Sequence, residues 1–305
     1  MLKLTTAYHP GDENQSNSAG NSNMKLTTRI QYILPQHALS RLFGKLLQSQ
    51  HKSVKNTLIK MFIAYFNVNM DEVADPHLDD YACFNDFFTR TLKKDARPIA
   101  NNPNAIASPV DGTIAQMGIA QKERLIQAKN HHFSLTDLLG GDKVMAEDFL
   151  NGPYTTIYLG PRDYHRVHMP VNGTLKKMIF VPGKLFSVNR STVDDVSNLF
   201  ARNERVICLF ETDAGPMALI MVGAIFVGSM AVAWQGVITP ERYNEQTVWT
   251  YEDRAITLKR GDELGYFVTG STVICLFAQN ALAWEDTLQQ HTLVKMGQEI
   301  GQRKH

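Results

Sequence analysis

The stretch Leu264-Gly265-Tyr266-Phe267-Val268-Thr269-Gly270-Ser271-Thr272-Val273-Ile274-Cys275-Leu276-Phe277 decides how this chain is read. Aromatic and β-branched residues crowd it, and the apolar run after Thr272 is short, so it reads as extended backbone. Gly270 interrupts it. A glycine inside a strand weakens it and marks a bulge or a close backbone approach, so the plain reading is a buried strand with a glycine bulge. A second reading is chemical. A serine hydroxyl beside an unhindered glycine carbonyl can attack that carbonyl once a base takes its proton. The bond attacked would be the chain's own Gly270–Ser271 peptide.

Around this stretch the composition is that of an ordinary globular protein, 44% hydrophobic and 20% charged over 305 residues, enough for one large domain or two modest ones. A net charge of +1 supplies no overall field for nucleic acid, so any attraction to anions is local. Cys83, Cys208 and Cys275 are odd in number and widely spaced, which argues against a disulfide framework or a zinc ribbon and fits a reducing cytosolic setting. No secretory signal is expected, because no apolar core follows the first basic residue. Residues 10–23 are polar and low in complexity, and residues 1–29 are expected to form a disordered extension. Lys-Leu-Thr-Thr occurs at 3–6 and again at 25–28 behind Met24, which marks Met24 as an alternative start.

Residues 30–100 read as helical. Leu39, Leu42, Phe43, Leu46 and Leu47 fall on one helical face, and Val54, Leu58, Met61, Phe62 and Tyr65 continue it. Arg41, Lys45, Lys52, Lys55 and Lys60 surround the stripe. Two readings stand: helices packed on the core, or a basic amphipathic hairpin lying in a membrane interface. Phe84-Asn-Asp-Phe-Phe88 is expected to be a further helix, followed by Lys93, Lys94, Arg97 and Pro98.

From 101 to 305 the texture is β-rich. Pro109-Val-Asp-Gly-Thr-Ile114 is echoed by Pro170-Val-Asn-Gly-Thr-Leu175, each a tight turn leading into a strand, which suggests a duplicated hairpin sandwich or small barrel. The uncharged run Met217–Trp234 reaches the length of a membrane span, but Gly223, Gly228 and Ser229 break it into two buried strands. The fold class is therefore α+β, with a β-rich core behind N-terminal helices.

Asp111, His168 and Ser271 are the residue types that activate a hydroxyl: imidazole takes its proton and carboxylate balances the charge. Singly each has a structural explanation, as turn aspartate, core histidine and strand serine. His165 and His168 also invite a metal reading, but residues three apart in a strand point to opposite faces and no cysteine completes a set, so no metal is expected. Ser271 lacks the Gly-x-Ser-x-Gly elbow of common serine hydrolases.

Tyr164-His-Arg-Val-His-Met-Pro170, Pro109-Val-Asp-Gly112 and Gly270-Ser-Thr272 resemble the motifs of the bacterial phosphatidylserine decarboxylases, which are pyruvoyl-dependent. So do Phe84-Asn-Asp-Phe-Phe88 with Arg97-Pro98, Phe186-Ser-Val-Asn189, and Asn198-Leu-Phe-Ala-Arg-Asn-Glu-Arg-Val206, in the family's order from about 30 to 297. Thr269 departs from the family's usual leucine and leaves the cleavage rate open.

The resemblance implies a self-cleavage triad of Asp111, His168 and Ser271, cutting between Gly270 and Ser271 into chains 1–270 and 271–305. Ser271 becomes the pyruvoyl group, a covalent cofactor that forms a Schiff base with the serine amine of phosphatidylserine and releases CO2 and phosphatidylethanolamine. His165 is then the expected acid for the carbanion, or a partner for the substrate carboxylate. The resemblance also places the protein peripherally on the cytoplasmic face of the cell membrane, with no nucleic-acid partner, and a homodimer is compatible with it. The competing readings are a pyruvoyl decarboxylase of a soluble amino acid, a lipoyl-like binding module, and a serine peptidase acting in trans. Neither Pro-Val-Asx-Gly turn carries the lysine a lipoyl-like module needs.

Overall fold

A computed structural model describes residues 25–34, 36–121, 123–128, 131–225, 229–239, 245–268 and 271–304. The polar stretch 10–23, Met24, Thr269 and Gly270 lie outside these residues, as do the side chains of Leu42, Phe43 and Ser271.

Ser271–Phe277 is an inner strand of a nine-stranded antiparallel sheet, paired on one edge with Pro153–Leu159 and on the other with Gly215–Val222. Outward from Gly215–Val222 come Arg205–Thr212, Gly173–Val181 and Thr247–Thr250; outward from Pro153–Leu159 come Gly112–Ile119 and Leu293–Val294. Ile256–Leu258 also pairs with Gly173–Val181.

Alternation along the inner strand divides two cores. Val273, Cys275 and Phe277 enter one with Ile157, Leu219 and Phe267, whereas Ile274 and Leu276 enter another with Phe133, Phe200 and Ile220. Both faces are covered, so the segment is apolar throughout rather than alternating. The first core is shared with two smaller sheets. One joins Gly236–Val237, Ser229–Val232, Glu263–Val268 and Arg166–His168; the other joins Ala105–Ala107, Glu299–Arg303 and Leu282–Trp284. The second core is closed by short helices, including Leu135–Leu138 and Leu199–Arg202, and by the hairpin of Arg124–Ala128 with His131–Ser134.

The fold is thus α+β with a β-rich core. Strands Gly112–Ile119 and Gly173–Val181 start at the two echoed glycines and lie in opposite halves of the large sheet. The segments leading into the two turns are tied together, since Ala107 N–H donates to the Pro170 carbonyl at 2.9 Å and His168 N–H to the Pro109 carbonyl at 2.8 Å. The uncharged run Met217–Trp234 is accounted for by buried strands Gly215–Val222 and Ser229–Val232, which belong to different sheets. No described helix is long and apolar enough to cross a membrane.

The N-terminal region contributes helices α1 (Leu26–Ile33), α2 (Gln36–Leu47), α3 (Lys52–Phe66) and α4 (Phe84–Phe88). Leu47, Ile59, Tyr81, Phe84, Phe87 and Phe88 form their own buried cluster, with Leu58 and Phe62 packed against it. The second apolar set of the sequence therefore splits. Leu58 and Phe62 turn inward, while Val54, Met61 (65% exposed) and Tyr65 (82% exposed) face outward, as Leu46 does on α2. Lys55, expected on the cationic flank, is instead buried, and its ammonium donates to the carbonyls of Leu78 and Tyr81. Three N–H donors on a flexible stem suit it to cap loop carbonyls that lack water.

Candidate active site

Four segments converge where strand Ser271–Phe277 begins. Its first residue pairs with Leu159. Glu263–Val268, which leads into it, pairs with Arg166–His168, and His168 is tied through its backbone to Pro109 in the Asp111 turn. The C-terminal segment joins through Met296, whose N–H donates to Asp111 Oδ1 at 2.8 Å. Gly112 is required here: a Cβ would stand 2.4 Å from the Tyr158 carbonyl oxygen.

Asp111 is buried and fully engaged. Arg97 Nε donates to its Oδ1 at 2.8 Å and Arg97 Nη2 to its Oδ2 at 2.5 Å. The guanidinium also reaches Glu72 at 2.8 Å, and Glu72 receives Lys295 at 3.1 Å, so charges alternate from the turn to the surface. Burial alone would lower the Arg97 pKa, but the hydrogen bonds and charges of Asp111 and Glu72 raise it instead.

His168 has a defined tautomer. Its Nδ1 lies 2.8 Å from the Gly261 carbonyl and so carries the proton, which leaves a lone pair on Nε2, 3.1 Å from the Tyr164 hydroxyl. Burial pushes the Tyr164 phenol up to about 12, so the hydroxyl keeps its proton and donates to His168. Burial also lowers the His168 pKa, against the opposing pull of the Gly261 carbonyl, and the ring is neutral at neutral pH.

His165 faces different surroundings, as an extended segment requires. It is 0% exposed, its ring lies on Phe88 with centroids 4.1 Å apart, and its Nδ1 donates to the Asp163 carbonyl at 2.8 Å. Burial, then the charge of Arg90, lowers its pKa to about 3. The proton-donor role expected for His165 does not suit this ring. Its one N–H is already bonded to a carbonyl, and its free atom, Nε2, is an acceptor that has no partner.

The structure thus gathers the Asp111, His168 and Ser271 segments, but the tautomer of His168 is set by Gly261 rather than by Asp111, whose carboxylate belongs to Arg97. Asp111 acts on His168 by charge alone, raising its pKa. Tyr164, Arg97, Glu72 and Gly261 were given no role from sequence. Tyr164 and Arg97 stood inside the quoted motifs, while Gly261 carries no local signal because its contact with His168 spans 93 positions. Among the described residues no cluster of His, Cys, Asp and Glu is placed to hold a metal ion.

A neutral histidine and a charge-paired aspartate, both buried on segments that meet near the start of an inner β-strand, define an α+β protein that carries the residue types of acid–base chemistry. Residues 84–302 match the family described as phosphatidylserine decarboxylase, and residues 26–67 match a second family described as PSD. The chain is 49% identical to the phosphatidylserine decarboxylase proenzyme of Hahella chejuensis over 271 residues, covering 89% of this chain and 91% of that one. It is 49% identical to the protein of the same description from Vibrio campbellii over 276 residues (90% and 97%) and to that from Marinobacter nauticus over 279 residues (91% and 97%). The chain belongs to the phosphatidylserine decarboxylase family.

The two buried imidazoles give the fold an acid limit. Both are neutral when folded and free to protonate when unfolded, so unfolding takes up protons below the ordinary histidine value of about 6.5. Stability therefore falls as pH drops from that value towards the folded one, about 3 for His165. In urea unfolding followed between about pH 7 and pH 4.5, His165→Gln should lose less stability than the wild type. Equal losses would show that His165 is not the group titrating.

Proposed function

We propose that this chain converts phosphatidylserine to phosphatidylethanolamine and CO2 through a pyruvoyl group made from its own Ser271. Near-half identity to proenzymes of that description, over nine-tenths of the chain, is the observation that carries the reading. A soluble amino acid as substrate and a non-catalytic binding module find no comparable support.

In the proposed maturation Ser271 Oγ adds to the Gly270 carbonyl, and the peptide becomes an ester. His168 takes the hydroxyl proton, and the Tyr164 hydroxyl now bonded to Nε2 either passes that proton on or gives way. The negative charge of Asp111 favours the imidazolium that forms. Loss of the Ser271 α-proton then breaks the Cβ–O bond, freeing chain 1–270 as a carboxylate and leaving dehydroalanine at 271. Tautomerisation and hydrolysis convert this residue to the pyruvoyl group and release ammonia.

The surroundings suit such a group. The segments that carry the buried Asp111 and the neutral His168 meet near the strand start, where Thr272 Oγ1 is buried without a hydrogen-bond partner. When formed, the pyruvoyl group supplies an electrophilic carbonyl and an electron sink for the pair left behind by CO2. The protein's part is to exclude water, to keep His168 neutral, and to hold the new terminus in the sheet.

The division into an extension (1–29), a helical region (30–100) and a catalytic region (101–305) fits this reading, although Glu72, Phe88, Arg90 and Arg97 of the helical region reach the site. A lipid substrate gives the outward face of α3, with Val54, Met61 and Tyr65, a purpose, and Lys60 next to Met61 supplies a cation for anionic headgroups. The protein then works peripherally, on the cytoplasmic face of the membrane.

Purified wild-type protein should release CO2 from carboxyl-labelled phosphatidylserine in detergent micelles, whereas Ser271→Ala stays one chain on a denaturing gel and releases none. A processed Ser271→Ala protein, or a wild type inert towards this lipid, would contradict the proposal. Replacing Met61 and Tyr65 together with Glu should weaken co-sedimentation with anionic vesicles roughly tenfold or more. Undiminished binding by the folded variant places the docking surface elsewhere.

A further inference from the structure

Arg90 presents a problem that neither the fold nor the proposed maturation resolves. It is 5% exposed, and its Nη2 donates to the carbonyls of Arg162 at 2.9 Å and Asp163 at 3.3 Å. Its Nε and Nη1 are buried without any hydrogen-bond acceptor, and among the described residues it makes no ion pair. Asp163 forms no ion pair with it: that carboxylate accepts the Gly160 N–H at 2.7 Å and, like Asp111, acts on the guanidinium only by charge from beyond contact. A guanidinium held out of water with two N–H-bearing nitrogens unbonded and no carboxylate in contact is costly, because its lost hydration is not replaced. Such a group calls for an anion in the working state of the protein.

Its neighbours narrow the anion's setting. The Asp163 carbonyl that accepts from Arg90 also accepts from His165 Nδ1, so the two side chains stand side by side. Consecutive residues of α4 hold them: the Arg90 guanidinium lies 5.3 Å from the centre of the Phe87 ring, and the His165 ring rests on Phe88. The pair thus offers unpartnered cationic donors next to an unpartnered neutral acceptor, His165 Nε2. The 160–163 turn that anchors Arg90 directly follows Leu159, the strand partner of Ser271. An amine beside an oxyanion, which is what a phosphoserine headgroup carries, matches both features.

We propose that Arg90 binds an oxyanion of the phosphatidylserine headgroup at the proposed site, with His165 Nε2 accepting from the headgroup amine. The inference rests on the decarboxylase reading. Two oxyanions of the headgroup share this chemistry, the serine carboxylate and the phosphodiester, and two soluble probes separate them. L-Serine carries the amine with the carboxylate alone; glycerophosphoethanolamine carries it with the phosphodiester alone.

The test uses processed wild-type enzyme, Arg90→Gln and Arg90→Lys. Both variants should be cleaved to chains 1–270 and 271–305 like the wild type. Arg90→Gln should raise KM for phosphatidylserine roughly tenfold or more with kcat within about threefold, the signature of lost substrate binding. Arg90→Lys, which keeps the charge, should fall between. By calorimetry, Arg90→Gln should lose affinity for whichever probe carries the recognised oxyanion, serine or glycerophosphoethanolamine. An Arg90→Gln enzyme with unchanged KM and probe binding overturns the proposal, as does a folded variant that fails to self-cleave. A wild type that ignores phosphatidylserine would overturn the decarboxylase reading itself, a result distinct from either.

Discussion

Strand Ser271–Phe277 is hydrogen-bonded along both edges and buried on both faces, and the placement of every other part of the site follows from that commitment. Val273, Ile274, Cys275, Leu276 and Phe277 are at most 1% exposed. Side chains of this kind contribute about 1.5–3 kcal/mol each when buried. A chain cut just before residue 271 would therefore leave its shorter piece held by the sheet. Two further pairings secure that piece, Leu293–Val294 against Gly112–Ile119 and Glu299–Arg303 against Ala105–Ala107. Self-cleavage inside a core is compatible with a stable product for this reason.

A second constraint is electrostatic. Asp111, Arg97, Glu72 and Lys295 link the Pro-Val-Asp-Gly turn, the N-terminal region and the C-terminal segment in one chain of alternating charge. Buried ion pairs stabilise only when their remaining hydrogen-bonding positions are satisfied. Here the Met296 N–H and the Ala96 carbonyl supply two of them. The arrangement fixes Asp111 without bonding it to His168, so histidine receives its orientation from Gly261 and only a distant electrostatic influence from aspartate. Residues Glu72 to Arg97 are for the same reason part of the site rather than a separate module.

Much of this was legible in the sequence. The apolar run after Thr272 announced a buried strand, Gly223 to Ser229 broke the uncharged segment into two strands, and the spacing of His165 and His168 in extended chain sent their rings to different surroundings. Most of what was hidden has one cause: partners far apart in sequence. The Gly261 carbonyl that sets the His168 tautomer lies on a turn with no distinguishing pattern. Lys55 looked like any cation beside an apolar stripe until the loop around Leu78 and Tyr81 folded over it. His165 looked like a proton donor because a sequence does not show that its one N–H turns back to the Asp163 carbonyl while Phe88, from a distant helix, covers the ring.

The most direct measurement of the central claim is the intact mass of the purified wild-type protein under denaturing conditions, combined with N-terminal sequencing. The expected result is two polypeptides. The shorter begins at position 271, lacks a free amine there, and has the mass of a pyruvoyl group in place of serine. A single polypeptide, or a shorter one with an ordinary serine amine at its start, would contradict the claim that Ser271 is the source of the catalytic group.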